Sequence, residues 1–279
     1  MTVNFRGKLQ ELDTPQVMGI LNVTPDSFYA GSRTQGESAI LVRAAQIVDE
    51  GGQIIDVGAY STRPGAAEVS FEEEMHRLSV ALPIIRAAYP EILVSVDTFR
   101  AEVARRCVLD YGVDIINDVS GGRDSQMFAT AAELRVPYVL THSGGVADDA
   151  VGTEVAAEEY VPAVCRWLAE RLQKLSEAGV ADVILDLGFG FGKTLEQNYQ
   201  LMHHLAEIIR LFPDCPMLVG ISRKSMIYRQ LGTTPEEALN GTTALHAIAL
   251  QAGTHILRVH DVRQAVETVS LIGKLKACS

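Results

Sequence analysis

The sequence predicts a single domain of the α/β class, a (β/α)8 TIM barrel that spans residues 1–279. Eight apolar runs alternate with longer segments whose apolar residues recur every three or four positions, as they do in amphipathic helices. Eight strand–helix units are the number that closes into a barrel, and a chain of 279 residues suits one barrel domain. An open, doubly wound sheet is the competing architecture.

The predicted strands cover residues 17–22, 54–59, 92–98, 114–117, 137–142, 183–187, 217–222 and 255–259. The sixth of them opens the stretch VILDLGFGFGK, residues 183–193, in which Asp186 interrupts an otherwise apolar run. A carboxylate near the end of a buried strand must find donors or bind a ligand. The glycines that follow indicate a backbone that a ligand can approach closely.

Helix boundaries support the count of units. A helix is expected after Thr98 and ends near Gly112, and another is expected after Thr194 and runs to Pro213. The second helix starts from about Ser70, where three consecutive glutamates suit the positive end of the helix dipole and receive no catalytic role. Residues 24–36 and 60–69 are long and non-periodic, and we interpret them as lid loops.

Composition excludes several classes of function. A formal net charge of −11 disfavours nucleic acid and anionic membranes as partners. No apolar run approaches the length of a membrane helix, and the N-terminus lacks the apolar core of a signal peptide. The four cysteines lie far apart without a C-x-x-C pair, which argues against a structural zinc site and a disulfide framework and fits a reducing cytoplasm.

Polar residues close the predicted strands, and in a parallel barrel all of them arrive at the C-terminal face, where ligands bind. We expect this mouth to contain acceptors on one side and cations on the other. Such a division suits a ligand with a flat, hydrogen-bonding head and an anionic tail. The residues are Asn22, Asp56, Asp97, Asn117, His142, Asp186, Arg223, Lys224, Arg258 and His260, with Arg63 from the second loop.

Some of these residues also have a structural interpretation. Asp56 is expected to hold neighbouring loop backbone amides, and His142 is either a packed barrel histidine or a site residue. His203 and His204 lie on a helix pattern and are expected at the surface. For Lys224, at the end of the seventh strand, an alternative remains open: it could form a Schiff base, as the lysine of an aldolase-like barrel does.

Two nucleotide motifs fail. LGFGFGKT is not a phosphate-binding P-loop, because Leu187 stands where that motif requires a glycine. The same glycines do not give a dinucleotide-binding fingerprint, and none stands near the first strand.

Seven stretches, taken together, resemble the dihydropteroate synthases of folate biosynthesis. They occur in the order of that family's motifs and span nearly the whole chain. They are MGILNVTPDSF (18–28), STRPGA (61–66), VDT (96–98), IINDVSGG (115–122), DLGFGFGK (186–193), GISRKS (220–225) and RVHDV (258–262).

The resemblance implies a (β/α)8 barrel that joins 6-hydroxymethyl-7,8-dihydropterin diphosphate to p-aminobenzoate and releases diphosphate and 7,8-dihydropteroate. It implies that Asp186, Asn117 and Asp97 hold the pterin. Asp97 would also stabilise the positive charge that develops once diphosphate has left. Lys224 would donate to the ring acceptors from the other side.

The remaining roles also follow from the resemblance. Arg258 and His260 would hold the diphosphate, with Asn22 and a Mg²⁺ ion to neutralise it. Arg63 is placed with Asp97 and Lys224 among the catalytic residues. The family also implies a homodimer, for which the C-terminal helix with Val266, Val269, Leu271 and Ile272 offers a surface. The p-aminobenzoate pocket would combine the second loop with the ends of two strands: Thr62, Arg63, Pro64, Phe191, Lys224 and Ser225.

Three departures from the family pattern touch the pocket walls and the second loop. Ala59-Tyr60 replaces the usual Gly-Glu, Leu187 replaces a proline, and Thr141-His142-Ser143 stands where methionines often flank the histidine. The nearest rival is a pterin-binding methyltransferase barrel of the methyltetrahydrofolate kind, which needs no diphosphate clamp. A binding module without catalysis is the second rival.

Overall fold

In the computed structural model, which describes residues 1–23, 33–60, 68–144 and 155–278 (residues 33–35 for their backbone only), eight parallel strands close into a barrel. Each strand pairs with the next along the chain, and the last pairs with the first. The predicted barrel is therefore confirmed. An antiparallel hairpin of β1 (Thr2–Phe5) and β2 (Lys8–Glu11) precedes the barrel strands, which are β3 (Gln16–Asn22), β4 (Ile54–Gly58), β5 (Leu93–Asp97), β6 (Ile115–Asp118), β7 (Tyr138–Thr141), β8 (Val183–Asp186), β9 (Met217–Val219) and β10 (Ile256–Val259).

Helices surround the barrel, and their apolar faces pack on the outward-facing strand residues to form the larger core. Among the described residues, no helix is both long and apolar enough to span a membrane. The helices are α1 (Arg33–Asp49), α2 (Phe71–Ala88), α3 (Ala101–Tyr111), α4 (Met127–Leu134), α5 (Ala157–Ala178), α6 (Leu195–His203), α7 (Leu205–Leu211), α8 (Ser225–Leu231), α9 (Leu239–Ala252) and α10 (Val262–Lys276).

The hairpin closes the N-terminal end of the barrel. Val3, Phe5 and Leu12 are buried in the same apolar cluster as the lowest inward-facing residues of the barrel strands. Its turn consists of Arg6 (φ 54°) and Gly7 (φ 76°), the left-handed pair that a two-residue hairpin turn requires. This hairpin was not predicted from the sequence, because each of its strands has only four residues.

The predicted helix starts and stops are confirmed at three residues. Ser70 caps α2 by accepting a hydrogen bond from the Glu73 amide at 3.2 Å. Gly112 (φ 63°) ends α3 in the left-handed conformation. Thr194 forms a capping box with Gln197 at the start of α6. Glu74 does more than complement the dipole, because it is fully buried and bonded to the side chains of Thr98 and Arg100.

Several barrel strands are shorter than predicted, most clearly β9, which ends at Val219 instead of residue 222, and two helix boundaries also differ. The helix expected from Thr194 to Pro213 is divided at His204 into α6 and α7. The first long loop is shorter than residues 24–36, because α1 already begins at Arg33. Residues 24–32 and 61–67, which hold most of both predicted lid loops, lie outside the described residues.

Candidate active site

Alternation of side chains along the strands sets two levels inside the barrel. The lower level is apolar and belongs to the cluster that the hairpin closes: Met18, Ile54, Leu93, Ile115, Val139, Ile184, Leu218 and Ile256. Because a strand returns to the same face every second residue, the next inward level lies two residues further along each strand. Six of its eight residues are polar, and it forms the floor of a mouth at the C-terminal ends of the strands. Its members are Ile20, Asp56, Ser95, Asn117, Thr141, Asp186, Gly220 and Arg258.

Asn22 and Asp97 flank a gap that Gly58 leaves open. Asn22 pairs in register with Gly58, and Gly58 pairs with Asp97. A Cβ at Gly58 would lie 3.4 Å from the Asn22 amide oxygen and 3.7 Å from Oδ2 of Asp97. These two oxygens therefore border the same space at the rim.

Arg258 links two carboxylates across the mouth. Its Nε donates to Oδ2 of Asp56 and its Nη2 donates to Oδ2 of Asp97, both at 2.6 Å. Burial raises the pKa of Asp97 to about 7, although the nearby guanidinium opposes this shift. The two carboxylates outweigh burial at Arg258 and raise the pKa of its guanidinium. Asn117 completes the group by donating its amide to both oxygens of Asp56, at 3.1 and 3.3 Å.

Asp186 lies at the opposite side of the floor and is 5% exposed. Its Oδ1 accepts a hydrogen bond from the Gly188 amide at 2.8 Å. Burial raises the pKa of this carboxyl, and the charges of Lys224 and Arg258 act in the other direction. Gly220 separates Asp186 from Arg258, because a Cβ there would lie 3.8 Å from the Arg258 side chain and 3.9 Å from Oδ2 of Asp186.

Lys224 lies over the glycine-rich loop that follows β8. Its ammonium is 4.3 Å from the centre of the Phe191 ring and donates to the Phe189 carbonyl. Gly190 (φ 84°) makes room for the side chain, since a Cβ there would lie 3.0 Å from Cδ of Lys224. Burial lowers the pKa of Lys224 to about 8. Among the described residues, the cation therefore keeps its position through a carbonyl and an aromatic face rather than through a salt bridge.

Two more predicted residues lie at the rim. Ser225 is half-buried and is the first residue of α8, directly after Lys224. His260 is also half-buried, two residues beyond Arg258. The main chain of His260 is fixed because its amide donates to Ser222 Oγ at 3.2 Å and its carbonyl accepts from Arg43 at 2.7 Å.

The structure corrects the predictions made for Asp56 and Arg223 and decides between the two alternatives left open for His142. Asp56 was expected to hold loop amides, but the hydrogen bonds described for it come from the side chains of Asn117 and Arg258. Arg223 was expected among the cations of the mouth, but its guanidinium binds Asp261 at 2.8 and 2.9 Å. His142 is a packed histidine, because it is fully buried with its ring against Trp167 at a centroid distance of 5.0 Å.

The predicted surface position of the other two histidines is confirmed, since His203 is exposed and His204 is partly exposed. Nδ1 of His204 lies 2.7 Å from Oε2 of Glu207, and the His204 side chain is 39% exposed.

Lys193 is the residue of this region that sequence analysis misjudged most. It was considered only as a failed P-loop lysine. The structure places its ammonium against the carbonyls of His142 and Gly188, both at 2.8 Å. The glycines that precede Lys193 could have indicated this role, since a glycine-rich loop exposes backbone carbonyls that need donors.

Thr62, Arg63 and Pro64 lie outside the described residues, but both flanks of their segment are described. Arg100 contacts the two flanks, with its guanidinium 5.5 Å from the centre of the Tyr60 ring and a hydrogen bond of 2.7 Å to the Val69 carbonyl. Tyr60, one of the departures from the family pattern, also packs edge-on against Phe99.

The described residues contain no cluster of three or more His, Cys, Asp or Glu side chains suited to a metal ion. Mg²⁺ does not require such a cluster, because it keeps several waters and is often held by one or two protein oxygens together with substrate phosphates. The Asn22 amide oxygen at the Gly58 gap is a hard ligand of this kind, and the neighbouring Oδ2 of Asp97, which also accepts from Arg258, adds negative charge beside it. The site therefore fits a magnesium ion that is held jointly with a phosphorylated substrate.

Comparison with known proteins gives consistent matches over the whole chain. The family described as "Pterin binding enzyme" matches residues 18–260. A dihydropteroate synthase of Escherichia coli (strain K12) is 40% identical over 276 residues, which are 98% of this chain and 95% of that protein.

The fold is shared with solved structures of dihydropteroate synthases. The dihydropteroate synthase of Xanthomonas albilineans, solved with 4-aminobenzoic acid, has a TM-score of 0.87 and 36% identity over 99% of this chain and 98% of that one. The Coxiella burnetii dihydropteroate synthase, in complex with pteroic acid, has a TM-score of 0.87 and 31% identity over 100% of both chains.

Proposed function

The chain belongs to the dihydropteroate synthase family of pterin-binding enzymes, and we infer that it joins 6-hydroxymethyl-7,8-dihydropterin diphosphate to p-aminobenzoate. The products are 7,8-dihydropteroate and diphosphate. One observation carries this assignment to the residues: Asp97, Asn117 and Asp186 converge with Lys224 and Arg258 on a single mouth. A planar heterocycle with a phosphorylated arm needs hydrogen-bond acceptors for its ring and cations for its phosphates within the length of one molecule.

The pterin end of the substrate suits Asp186. The pyrimidine edge of a pterin presents a ring N–H beside an amino group, and one carboxylate can accept from both. Oδ1 of Asp186 already accepts from the Gly188 amide, so the carboxylate is oriented before a ligand arrives. Asn117 and Asp97 lie on neighbouring strands and supply the other ring contacts. Lys224 donates to the ring acceptors from the side of the glycine-rich loop.

The chemical step requires no protein nucleophile. The bond between the pterin methylene and its bridging oxygen breaks, and the electron pair leaves with diphosphate. The resulting cation is delocalised into the pterin until the aromatic amine of p-aminobenzoate forms the new C–N bond and loses a proton. A carboxylate near the methylene stabilises the positive charge as it develops, which is the role we assign to Asp97. This role requires Asp97 in its ionised form.

Diphosphate would be held at the rim by Arg258 and His260. The two bonds of Arg258 to carboxylates use Nε and Nη2, and neither uses Nη1. We propose that Asn22, with Asp97 beside it, holds a Mg²⁺ ion together with the diphosphate oxygens. When bound, this ion supplies positive charge that favours the departure of diphosphate.

The p-aminobenzoate pocket would be built from Phe191, Lys224 and Ser225 on the described side and from the segment with Thr62, Arg63 and Pro64 on the other. The Phe191 ring under the Lys224 ammonium offers an apolar face next to a cation. An aromatic carboxylate matches that pair, because its ring can pack while its charge is neutralised. Closure of the second loop would protect the cationic intermediate from water.

We propose that the protein is a homodimer in the cytoplasm. Helix α9 has no Asp, Glu, Lys or Arg, yet Ile248 on it is 47% exposed. On the adjacent α10, Leu271 and Leu275 are 71% and 57% exposed. The other apolar residues predicted on this surface, Val266, Val269 and Ile272, are partly buried against the core. The four free cysteines fit a reducing compartment.

The reaction itself tests the proposal. Purified protein is incubated with the pterin diphosphate and labelled p-aminobenzoate, with Mg²⁺ or with a chelator, and labelled dihydropteroate is separated by chromatography. We expect product only with the divalent cation, and we expect little from the Asp186→Asn variant. If p-aminobenzoate stays unconverted while methyl transfer from methyltetrahydrofolate to a corrinoid protein is observed, the chain is a methyltransferase and the proposal fails.

A further inference from the structure

The ammonium of Lys193 is bound by main-chain carbonyls beside the mouth, in the connections that follow β7 and β8. It donates to the carbonyls of His142 and Gly188 at 2.8 Å and to that of Phe191 at 3.3 Å. An ammonium has three N–H donors, and here each of them meets a carbonyl. The side chain is therefore committed to the backbone and is not directed at a ligand.

Each of two carbonyls belongs to a residue that also contacts a proposed ligand-binding side chain. Gly188 accepts from Lys193 through its oxygen and donates through its amide to Oδ1 of Asp186 at 2.8 Å. Phe191 accepts from Lys193 and carries the ring that lies 4.3 Å from the Lys224 ammonium. The Lys193 ammonium thus joins two residues of the loop. One of them orients Asp186, the main pterin acceptor, and the other contacts Lys224, the main pterin donor.

The third carbonyl ties this loop to the neighbouring strand connection. His142 directly follows β7, and the loop approaches that connection closely, since the Gly144 amide donates to the Phe191 carbonyl at 3.1 Å. A Cβ on Gly192 (φ 59°) would lie 1.4 Å from the Gly144 oxygen. The two connections therefore approach each other closely, and the three carbonyl oxygens that converge on the Lys193 ammonium are held together by its positive charge.

We propose that Lys193 is a positioning residue for pterin binding: it fixes the glycine-rich loop so that Asp186 and Lys224 face the same ligand. This inference rests on the proposed function. It assigns a role to the lysine of GFGFGK that differs from the phosphate contact its position after the glycines suggests. Lys193 itself touches neither substrate.

The charge of Lys193 also acts on Asp186. Burial lowers the pKa of the Lys193 ammonium to about 7 although Asp186 opposes that shift, so this charge is complete only below that pH. Burial raises the pKa of the Asp186 carboxyl, and Lys224, Arg258 and Lys193 are the cations that lower it. Removal of one of these cations shifts the ionisation of Asp186 to higher pH. Because the ionised carboxylate is the form that accepts from the pterin edge, the pH at which pterin affinity is half-maximal must rise as well.

The test is calorimetric titration with 6-hydroxymethylpterin across a pH series, at a temperature below the unfolding transition of every variant. Lys193→Met should weaken binding by about 10- to 100-fold, the range for loss of a charged hydrogen-bonding group. Its half-maximal affinity should also move to higher pH. Lys193→Arg keeps the charge and the donors and should restore most of the affinity. Lys174→Met, an exposed lysine on α5, is the matched control and should bind like wild type.

A purely structural lysine would give a different result: a lower melting temperature with the same pterin affinity and the same pH midpoint. That result overturns the inference. If Lys193→Met does not fold, Lys193→Gln replaces it, and unchanged affinity in that variant has the same meaning. If the wild-type protein binds no pterin, the proposed function fails instead.

Discussion

Nη2 of Arg258 donates to Oδ2 of Asp97 at 2.6 Å, and the same guanidinium holds Asp56 through Nε. A residue that the family resemblance assigns to diphosphate is therefore also the counter-ion of two carboxylates in the mouth. This arrangement lets the protein keep Asp56 and Asp97 side by side where both are largely removed from water. It also means that an arriving diphosphate either uses Nη1 or competes with Asp97.

Arg258→Met should destabilise the protein by about 3 to 5 kcal/mol near neutral pH, because it leaves two buried carboxylates without their partner. The loss should be smaller near pH 5, since Asp97, whose pKa is raised by burial, then takes up a proton and no longer needs the guanidinium. Urea unfolding at both pH values measures this difference. Arg106→Met is the control: Arg106 is 49% exposed in its pair with Glu102, and its loss should cost less than about 1 kcal/mol. Equal effects of the two substitutions would contradict the counter-ion role.

The raised pKa of Asp97 predicts that stability and activity change in opposite directions with pH. Burial raises the pKa of Asp97 to about 7, so the folded protein binds this proton more tightly than the unfolded chain does. The stability that Asp97 contributes is therefore complete below its ordinary pKa of about 4 and is lost as the pH rises to about 7. Activity should rise over the same upper range, because the ionised form stabilises the cation.

Urea unfolding of wild type and Asp97→Asn between about pH 4 and pH 8 checks the stability trend. The variant should show a smaller fall in the free energy of unfolding over this range. Asp110→Asn, on the exposed side of α3, should follow wild type. Identical slopes for wild type and Asp97→Asn would show that this carboxyl is already ionised at low pH.

Asp186→Asn should weaken pterin binding by roughly 2 to 4 kcal/mol, the cost of removing one member of a buried charge-assisted pair. Calorimetry with 6-hydroxymethylpterin measures it. Asp182→Asn is the control. Asp182 directly precedes β8, and it accepts from the main-chain amide of Asn4 at the opposite end of the barrel from Asp186. Unchanged affinity in Asp186→Asn would remove this residue from the pocket.

Leu271→Asp should convert the proposed homodimer into monomers, because a dimer interface would have to bury the new carboxylate without a partner. Sedimentation velocity over a range of protein concentrations measures the change. Leu109→Asp changes a leucine of similar exposure, 66% against 71%, on α3 and should leave the dimer intact. A wild-type protein that stays monomeric at every concentration would refute the dimer, and a dimer that survives Leu271→Asp would refute this surface.

Much of the mouth was predictable because strand periodicity is simple. Asp56, Asn117, Asp186 and Arg258 lie two residues beyond apolar residues of the lower level, and that spacing is readable in the sequence. The same spacing distinguishes strand-end residues that face the mouth from those that face the helices. His142 follows the inward-facing Thr141 directly and therefore faces the helices, a distinction that a list of strand-end polar residues does not make.

Other features were not predictable, because they depend on which distant groups meet. The bond from Arg258 to Asp56 joins residues 202 positions apart, and no local pattern in the sequence pairs them. Arg223 adopts a left-handed backbone (φ 55°) that turns its guanidinium towards Asp261. A non-glycine residue rarely takes that conformation, so its motif gave no warning. The carbonyls that hold Lys193 likewise come together only when the loop is folded.

Substitution of the adjacent residues Thr141 and His142 tests the alternation on which the site description depends. His142→Phe should leave pterin affinity within about twofold, because the ring packs against Trp167 and burial lowers the pKa of His142 to about 2, so it carries no charge to lose. Thr141→Leu should weaken binding, since Thr141 faces inward and pairs in register with Asp186, where a larger side chain enters the mouth. Calorimetry with 6-hydroxymethylpterin compares the two folded variants. If the histidine variant loses affinity and the threonine variant keeps it, β7 presents the opposite face to the ligand, and the assignment of the floor residues is wrong.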